Sequence, residues 1–143
     1  MRRPALAIAV ALALAACGQI ALWREAVERT EEANTIYPQN YRSDILSFMR
    51  SYLNDPTQIR GAFVSEPEIK TVDGLRRYAV CIRYNARKSG GQYAGSRDNI
   101  VLFRQGRLDR IVDAARDPRE AREIREHCKD AELKPFPELE RLS

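Results

Sequence analysis

Hydrophobic positions along this chain fall into three regimes: one unbroken apolar run, two stretches with a helical period, and a middle with a period of two. In the second regime Tyr41, Ile45, Phe48, Met49 and Tyr52 lie four, three, one and three residues apart. That spacing makes one apolar helix face and predicts a helix over 41–54. Asn40 suits its N-cap and Asp44 its first turn, where a carboxylate meets the positive end of the helix dipole. Asn54-Asp55-Pro56 stops it, because the residue before a proline avoids helical backbone.

Alternation then takes over. Ile59 to Ser65 reads as a first strand, and Ile69–Val72 and Leu75–Tyr84 flank Asp73-Gly74, a two-residue signal for a type I′ hairpin. In the longer strand Tyr78, Val80, Ile82 and Tyr84 share one face, and Arg77, Ala79, Cys81 and Arg83 share the other. Asn99–Arg104 and Arg107–Val112 flank Gln105-Gly106 as a second hairpin. Asp117-Pro118-Arg119-Glu120 then has N-cap, N1 proline and N3 glutamate in order, and Ala121, Ile124, Cys128 and Ala131 continue at helical spacing. Pro135 and Pro137 bracket Phe136 in a tail expected to run as a strap pinned by Phe136, Leu139 and Leu142. The expected fold class is α+β: an antiparallel sheet of about four strands packed against two helices.

The unbroken run is Ala5–Ala16, after Met1-Arg2-Arg3-Pro4. A basic start, a short apolar stretch and a small-residue exit describe a secretory signal. The run is too short for the ~20 residues that span a bilayer. Its exit, Leu14-Ala15-Ala16-Cys17, resembles the lipobox of bacterial lipoproteins. The resemblance implies cleavage before Cys17, a thioether-linked diacylglycerol on its sulfur and an N-acyl group, so that the membrane is the first partner. Gly18 and Gln19 follow in place of the aspartate that resembles an inner-membrane retention signal, which points to the periplasmic face of an outer membrane in a Gram-negative cell. The expected organisation is signal peptide 1–16, lipidated N-terminus and tether 17–37, and one α+β domain over 38–143. Ile20, Trp23 and Val27 recur at helical spacing within the tether, and either a short amphipathic helix or a flexible leash fits them.

The chain has three cysteines. With Cys17 acylated, Cys81 and Cys128 remain, an even count that suggests one disulfide in an oxidising compartment; two separate buried thiols are the alternative. A helix packed on the Ala79–Cys81 face would bring the two sulfurs together. The net charge of +4 falls by two with Arg2 and Arg3, leaving a weakly basic +2. Nucleic-acid binding calls for a more basic domain, and export removes the chain from nucleic acid.

Candidate chemistry concentrates in the polar stretch Asn85–Arg97 between the hairpins. Gly90, Gly91 and Gly95 permit left-handed backbone, Asn85 can start a turn, and Tyr93 sits among Arg83, Arg87, Lys88 and Arg97. Asn85, Arg87, Lys88, Ser89, Gly90, Gly91, Tyr93, Gly95 and Arg97 are therefore the candidate binding loop, suited to an anionic group such as a lipid phosphate or a cell-wall carboxylate. A compact Ω-loop whose Tyr93 folds back onto the sheet is the plainer reading. Together with Leu53-Asn54-Asp55-Pro56 and Val80-Cys81, the loop resembles a group of small exported bacterial proteins over about 45–112. The departure is Arg87-Lys88 where that pattern often has Lys-Asn. The resemblance implies fold and compartment and carries no activity.

Ser89-Gly90-Gly91-Gln92-Tyr93 also matches the Ser-Gly-x-x-Tyr loop of membrane-bound lysozyme inhibitors. Their Tyr-x-x-x-Lys-Gly segment has no counterpart at Leu102–Arg107, and their fold is an all-β barrel. Lys88-Ser89-Gly90 resembles the Lys-Ser/Thr-Gly element of penicillin-binding enzymes, but no serine has a lysine three residues on. His127 is the single histidine, which excludes a multi-histidine metal site. Asp109, Asp113 and Asp117 straddle a strand end and a helix cap and read as structural. The expectation is a binding or scaffolding protein rather than an enzyme, with no cofactor or metal. Its partner would be a cell-envelope protein, peptidoglycan or another anionic ligand; a lysozyme-inhibitor-like lipoprotein is the alternative.

Overall fold

A computed structural model describes residues 5–114 and 118–143, with side chains from Gln19 onward. The basic start Met1–Pro4 and the N-cap Asp117 lie outside the described residues, and so do the side chains of the signal and of Cys17. Among the described residues four helices and six strands follow in chain order: α1 (Ala5–Asn34), α2 (Tyr41–Tyr52), β1 (Asp55–Val64), β2 (Glu68–Val72), β3 (Leu75–Arg87), β4 (Arg97–Arg104), β5 (Arg107–Asp113), α3 (Pro118–Cys128), β6 (Lys134–Pro135) and α4 (Pro137–Glu140).

The sheet is antiparallel, ordered β5-β4-β3-β1-β6, with β2 also paired to β3. β3 is its spine. β2 borders the first half of β3 and β1 the second, along the same edge, and Ser65 joins the two segments. Its N–H donates to the Cys81 carbonyl and its Oγ accepts from the Cys81 N–H, both at 2.9 Å. At both hairpin tips the two turn residues have positive φ, 53° and 72° at Asp73-Gly74 and 53° and 73° at Gln105-Gly106. These are type I′ turns, whose twist matches that of the flanking strands. Gly106 has a second reason to be glycine, because a Cβ there would stand 3.0 Å from Ile36 Cγ2.

Alternation in β3 sorts the core. Val80, Ile82 and Tyr84 face a cluster built with Tyr41, Ile45 and Met49 of α2 and with Phe136, Leu139 and Leu142 of the tail. Ala79 and Cys81 face the opposite cluster, with Ile124 and Cys128 of α3. In β4 the run Ile100-Val101-Leu102-Phe103 is buried on both faces, as a strand covered on two sides requires. Cys81 and Cys128 form a disulfide, with 5.8 Å between their Cα atoms.

Several expectations are corrected. The helix ends at Tyr52 rather than 54, with Leu53 already extended. The first strand begins at Asp55 instead of Ile59, because once Pro56 excludes helix the chain enters the sheet at once. The α+β class, the antiparallel sheet and the disulfide are as expected; among the described residues the sheet counts six strands where about four were expected, the sixth being the two-residue pairing of Lys134–Pro135 with Phe63–Val64. Asn40 occupies the N-cap without a side-chain bond; Ser43 Oγ donates to its carbonyl instead. The segment before Asn34 is helical.

The disulfide closes a 47-residue separation. By loop-closure entropy its removal costs about 4 kcal/mol. Cys81→Ala/Cys128→Ala should therefore unfold at clearly lower urea than the oxidised parent, and reductant should lower the parent alone. Equal midpoints for the two proteins would contradict the crosslink.

Candidate functional site

The candidate loop is less open than its composition suggests. β3 continues through Arg87, and a bridge joins Arg87 to Tyr93. The Ala94 N–H donates to the Ala86 carbonyl at 3.0 Å, and the Lys88 N–H to the Gln92 carbonyl at 2.8 Å. The Gly91 N–H donates to the Lys88 carbonyl at 2.8 Å, so Lys88–Gly91 forms the tip. Asn85 acts across the loop rather than locally: its Oδ1 accepts from the Gly95 N–H at 2.9 Å. Gly95 has a φ of 93°, a backbone that a side chain would strain. The result is a small hairpin extending β3, with Ser89 and Gly90 exposed at its tip.

Tyr93 fastens the hairpin to the sheet. Its hydroxyl donates to the Gln58 carbonyl at 2.9 Å. Its ring carries the Arg60 guanidinium at 4.1 Å and the Arg87 guanidinium at 5.5 Å. Cations over a ring face are attracted by its quadrupole. The Gln58 carbonyl is presented because β1 shifts register between Asp55 and Arg60, and Gln58 takes a positive φ of 55°. Such a bulge re-aims a strand locally. Asp55, at the start of β1, completes the anchor. Its Oδ2 lies 3.9 Å from Arg87 Nη1, and its Oδ1 accepts from Thr57 N–H and Oγ1 at 2.9 and 2.6 Å. The Thr57 hydroxyl and amide, with Arg87 nearby, hold the Asp55 carboxyl below the usual carboxylate range. The Asn54-Asp55-Pro56 element and the glycine-rich loop, about 30 residues apart in sequence, thus meet in space.

Beside this anchor lies a cleft of about 290 Å³. The end of α2 (Tyr52, Leu53, Asn54) forms one wall; Tyr84, Ala86, Lys88, Gly95 and Arg97 form the other, with Asn99 and Asp113 also lining it. The four cations singled out in the sequence divide here. Arg83 is held by Asp98 through two bonds of 2.6 and 3.0 Å, and Arg87 by Tyr93 and Asp55. Lys88 and Arg97 are exposed at the cleft, and among the described residues neither meets a carboxylate. The one lining carboxylate is Asp113, which accepts from the Tyr52 hydroxyl at 3.2 Å. Two uncommitted cations beside a hydrogen-bonded carboxylate suit a small anionic group with a polar neighbour.

Of the other candidates, Asp109 has a structural partner: it pairs at 2.9 Å with Arg77, which is buried. His127 lies near the end of α3, with its Nε2 3.8 Å from Glu123. Asp117 lies outside the described residues. The sequence reading did not single out Arg60, Gln58 or Tyr52 for the site. Nothing in a β-rich stretch announces a bulge at Gln58, whereas Tyr52 was visible as part of the apolar helix face. Comparison with known protein families, with curated proteins and with solved structures found no match.

Tyr93→Ala removes a hydrogen bond and two ring contacts, together about 2 kcal/mol of local order. The Ala94 and Gly95 amides should then exchange at least tenfold faster, while global melting changes little. Tyr93→Phe should fall between. Unchanged protection at both amides would contradict the anchor.

Proposed function

We propose that this chain is a lipid-anchored cell-envelope protein, held through acylated Cys17 at the periplasmic face of the outer membrane, and that its domain binds an anionic cell-wall component rather than catalysing a reaction. The Cys81–Cys128 disulfide is the observation that carries the compartment. Such bonds persist where thiols are not kept reduced. The pairing also leaves Cys17, at the end of Leu14-Ala15-Ala16, as the one thiol outside the crosslink. Two or more acyl chains, at about 0.8 kcal/mol per buried methylene, make attachment stable.

The cleft supports the ligand class. Lys88 and Arg97 are the loop cations without a carboxylate among the described residues, and a carboxylate of the wall polymer matches them. The lysozyme-inhibitor reading finds less support, since the Tyr93 hydroxyl is committed to Gln58 and the ring to two arginines. A tyrosine so committed is not free to enter a partner's cleft.

Mass spectrometry of the native protein should find a chain starting at residue 17 and carrying diacylglycerol and N-acyl groups. Cys17→Ser should appear in the soluble fraction after membranes are washed. Retention of residues 1–16 on the native chain, or an unmodified Cys17, overturns the anchor. For the ligand, purified cell-wall sacculi should pull down the mature domain, and Lys88→Ala/Arg97→Ala should weaken that at least tenfold with unchanged melting. Equal pull-down by the variant removes the cleft from the reading.

A further inference from the structure

Residues Gln19–Asn34 of α1 segregate by side chain to a degree that a passive leash does not need. At 100° per residue, Ile20, Leu22, Trp23, Ala26 and Val27 fall within about 160° of arc. Every charged residue of the segment lies outside that arc, and Glu25 and Arg29 pair on the far side at 3.1 Å. The apolar arc is open: Trp23 is 76% exposed, Leu22 68%, Ile20 58% and Val27 51%. At its far end the helix is fixed, because Asn34 is buried, and there the apolar arc borders a groove that Leu22, Trp23, Ala26 and Val27 share with Gly74, Leu75 and Arg76 of the β2–β3 hairpin, where Leu75 is itself exposed. Large apolar side chains left open in one patch mark a surface that something covers.

We infer that this helix is a second membrane contact, its apolar face lying in the lipid interface beside the acyl chains on Cys17. The inference rests on the lipid-anchor reading for its location: Ile20 comes one helical turn after Cys17, so the first turns of the mature chain lie at the bilayer surface. Trp23 has the chemistry of that zone, an apolar ring with one polar edge. Charge excludes an electrostatic mode, since Arg24 and Arg29 are outnumbered by Glu25, Glu28, Glu31 and Glu32. Binding therefore comes from apolar burial and does not require anionic lipid. A second copy of the chain is the poorer fit, because four side chains over two turns fall well short of the ~800 Å² per partner that a stable dimer covers. Partition by the helix alone is reversible, so washed membranes still lose the Cys17→Ser protein.

Trp23 is the only tryptophan, which makes its emission a direct reporter. The buried residues of the described chain all lie between Asn34 and Leu142, so the chain from residue 17 retains the whole core. That chain, bearing Cys17→Ser, is titrated with neutral phosphatidylcholine vesicles. The expected result is a blue shift and quenching by lipid-borne bromine, both unchanged in high salt. Ile20→Glu/Val27→Glu should weaken partition at least tenfold with an unaltered melting curve. Overturning results are no shift at millimolar lipid, a shift that needs anionic lipid and vanishes in salt, or a shift that grows with protein concentration without lipid, which assigns the face to a second copy. Because the titrated protein carries no acyl chain, its failure is separate from failure of the lipidation test, which mass spectrometry reads at residue 17.

Discussion

β3 and β4 bury side chains on both of their faces, and a strand buried on both faces cannot be stabilised by one layer of helix. Val80 and Ile82 look toward α2 and the tail, while Ala79 and Cys81 look toward α3. The two covers differ in strength. The α2 side has Phe103, Phe136, Ile45 and Met49 fully buried, a core able to hold itself together. The α3 side is smaller, and its helix contributes only Ile124 and Cys128 as buried residues. An eleven-residue helix held by so few apolar contacts is marginal. The disulfide supplies what the small core lacks, by tying the centre of β3 to the last turn of α3. The second layer of the fold thus depends on a bond that a reducing environment would not keep.

Most of this architecture was legible because burial follows periodicity. The helix face from Tyr41 to Tyr52, the two faces of β3, the Asp73-Gly74 and Gln105-Gly106 turns and the inward Cys128 all follow from spacing alone. What was not legible has one physical cause. The start of β1, its bulge at Gln58 and the pairing of β6 with Phe63–Val64 are set by non-local partners, and no local pattern encodes them. The loop shows the same division. Its glycines and Asn85 marked a tight excursion, but Arg60 on Tyr93 depends on a register shift in another strand.

The tyrosine anchor changes what the loop can do. A glycine-rich loop surrounded by four cations looks adaptable, able to wrap an anion by ordering on contact. With Arg83 and Arg87 already engaged and Tyr93 bonded to β1, little of it is left to order. Lys88 and Arg97 are instead held at the rim of a preformed cleft. A preformed site avoids the ordering cost that a floppy one meets on binding. The two engaged arginines are then the support on which Lys88 and Arg97, without a carboxylate among the described residues, stand.

The length and direction of β3 connect the two ends of the molecule. α1 joins the domain beside Gly74–Arg76, at the start of β3, and the linker after it packs on Gly106 at the matching tip of β4–β5. The cleft lies past the other end of β3, at Arg87, Lys88 and Arg97. Twelve steps of about 3.3 Å separate Leu75 from Arg87, so the two sites stand about 40 Å apart on opposite poles of the sheet. If the first pole sits at a bilayer, as proposed, the second is carried away from it, beyond the reach of headgroups in the same leaflet. Of the two anions that the loop chemistry allows, a lipid phosphate would require the domain to lie down on its own anchor, whereas a wall carboxylate lies in the direction in which Lys88 and Arg97 are carried. On the proposed anchor the sheet serves as a spacer as well as a scaffold, and that polarity is the reason for proposing a wall ligand over a lipid headgroup.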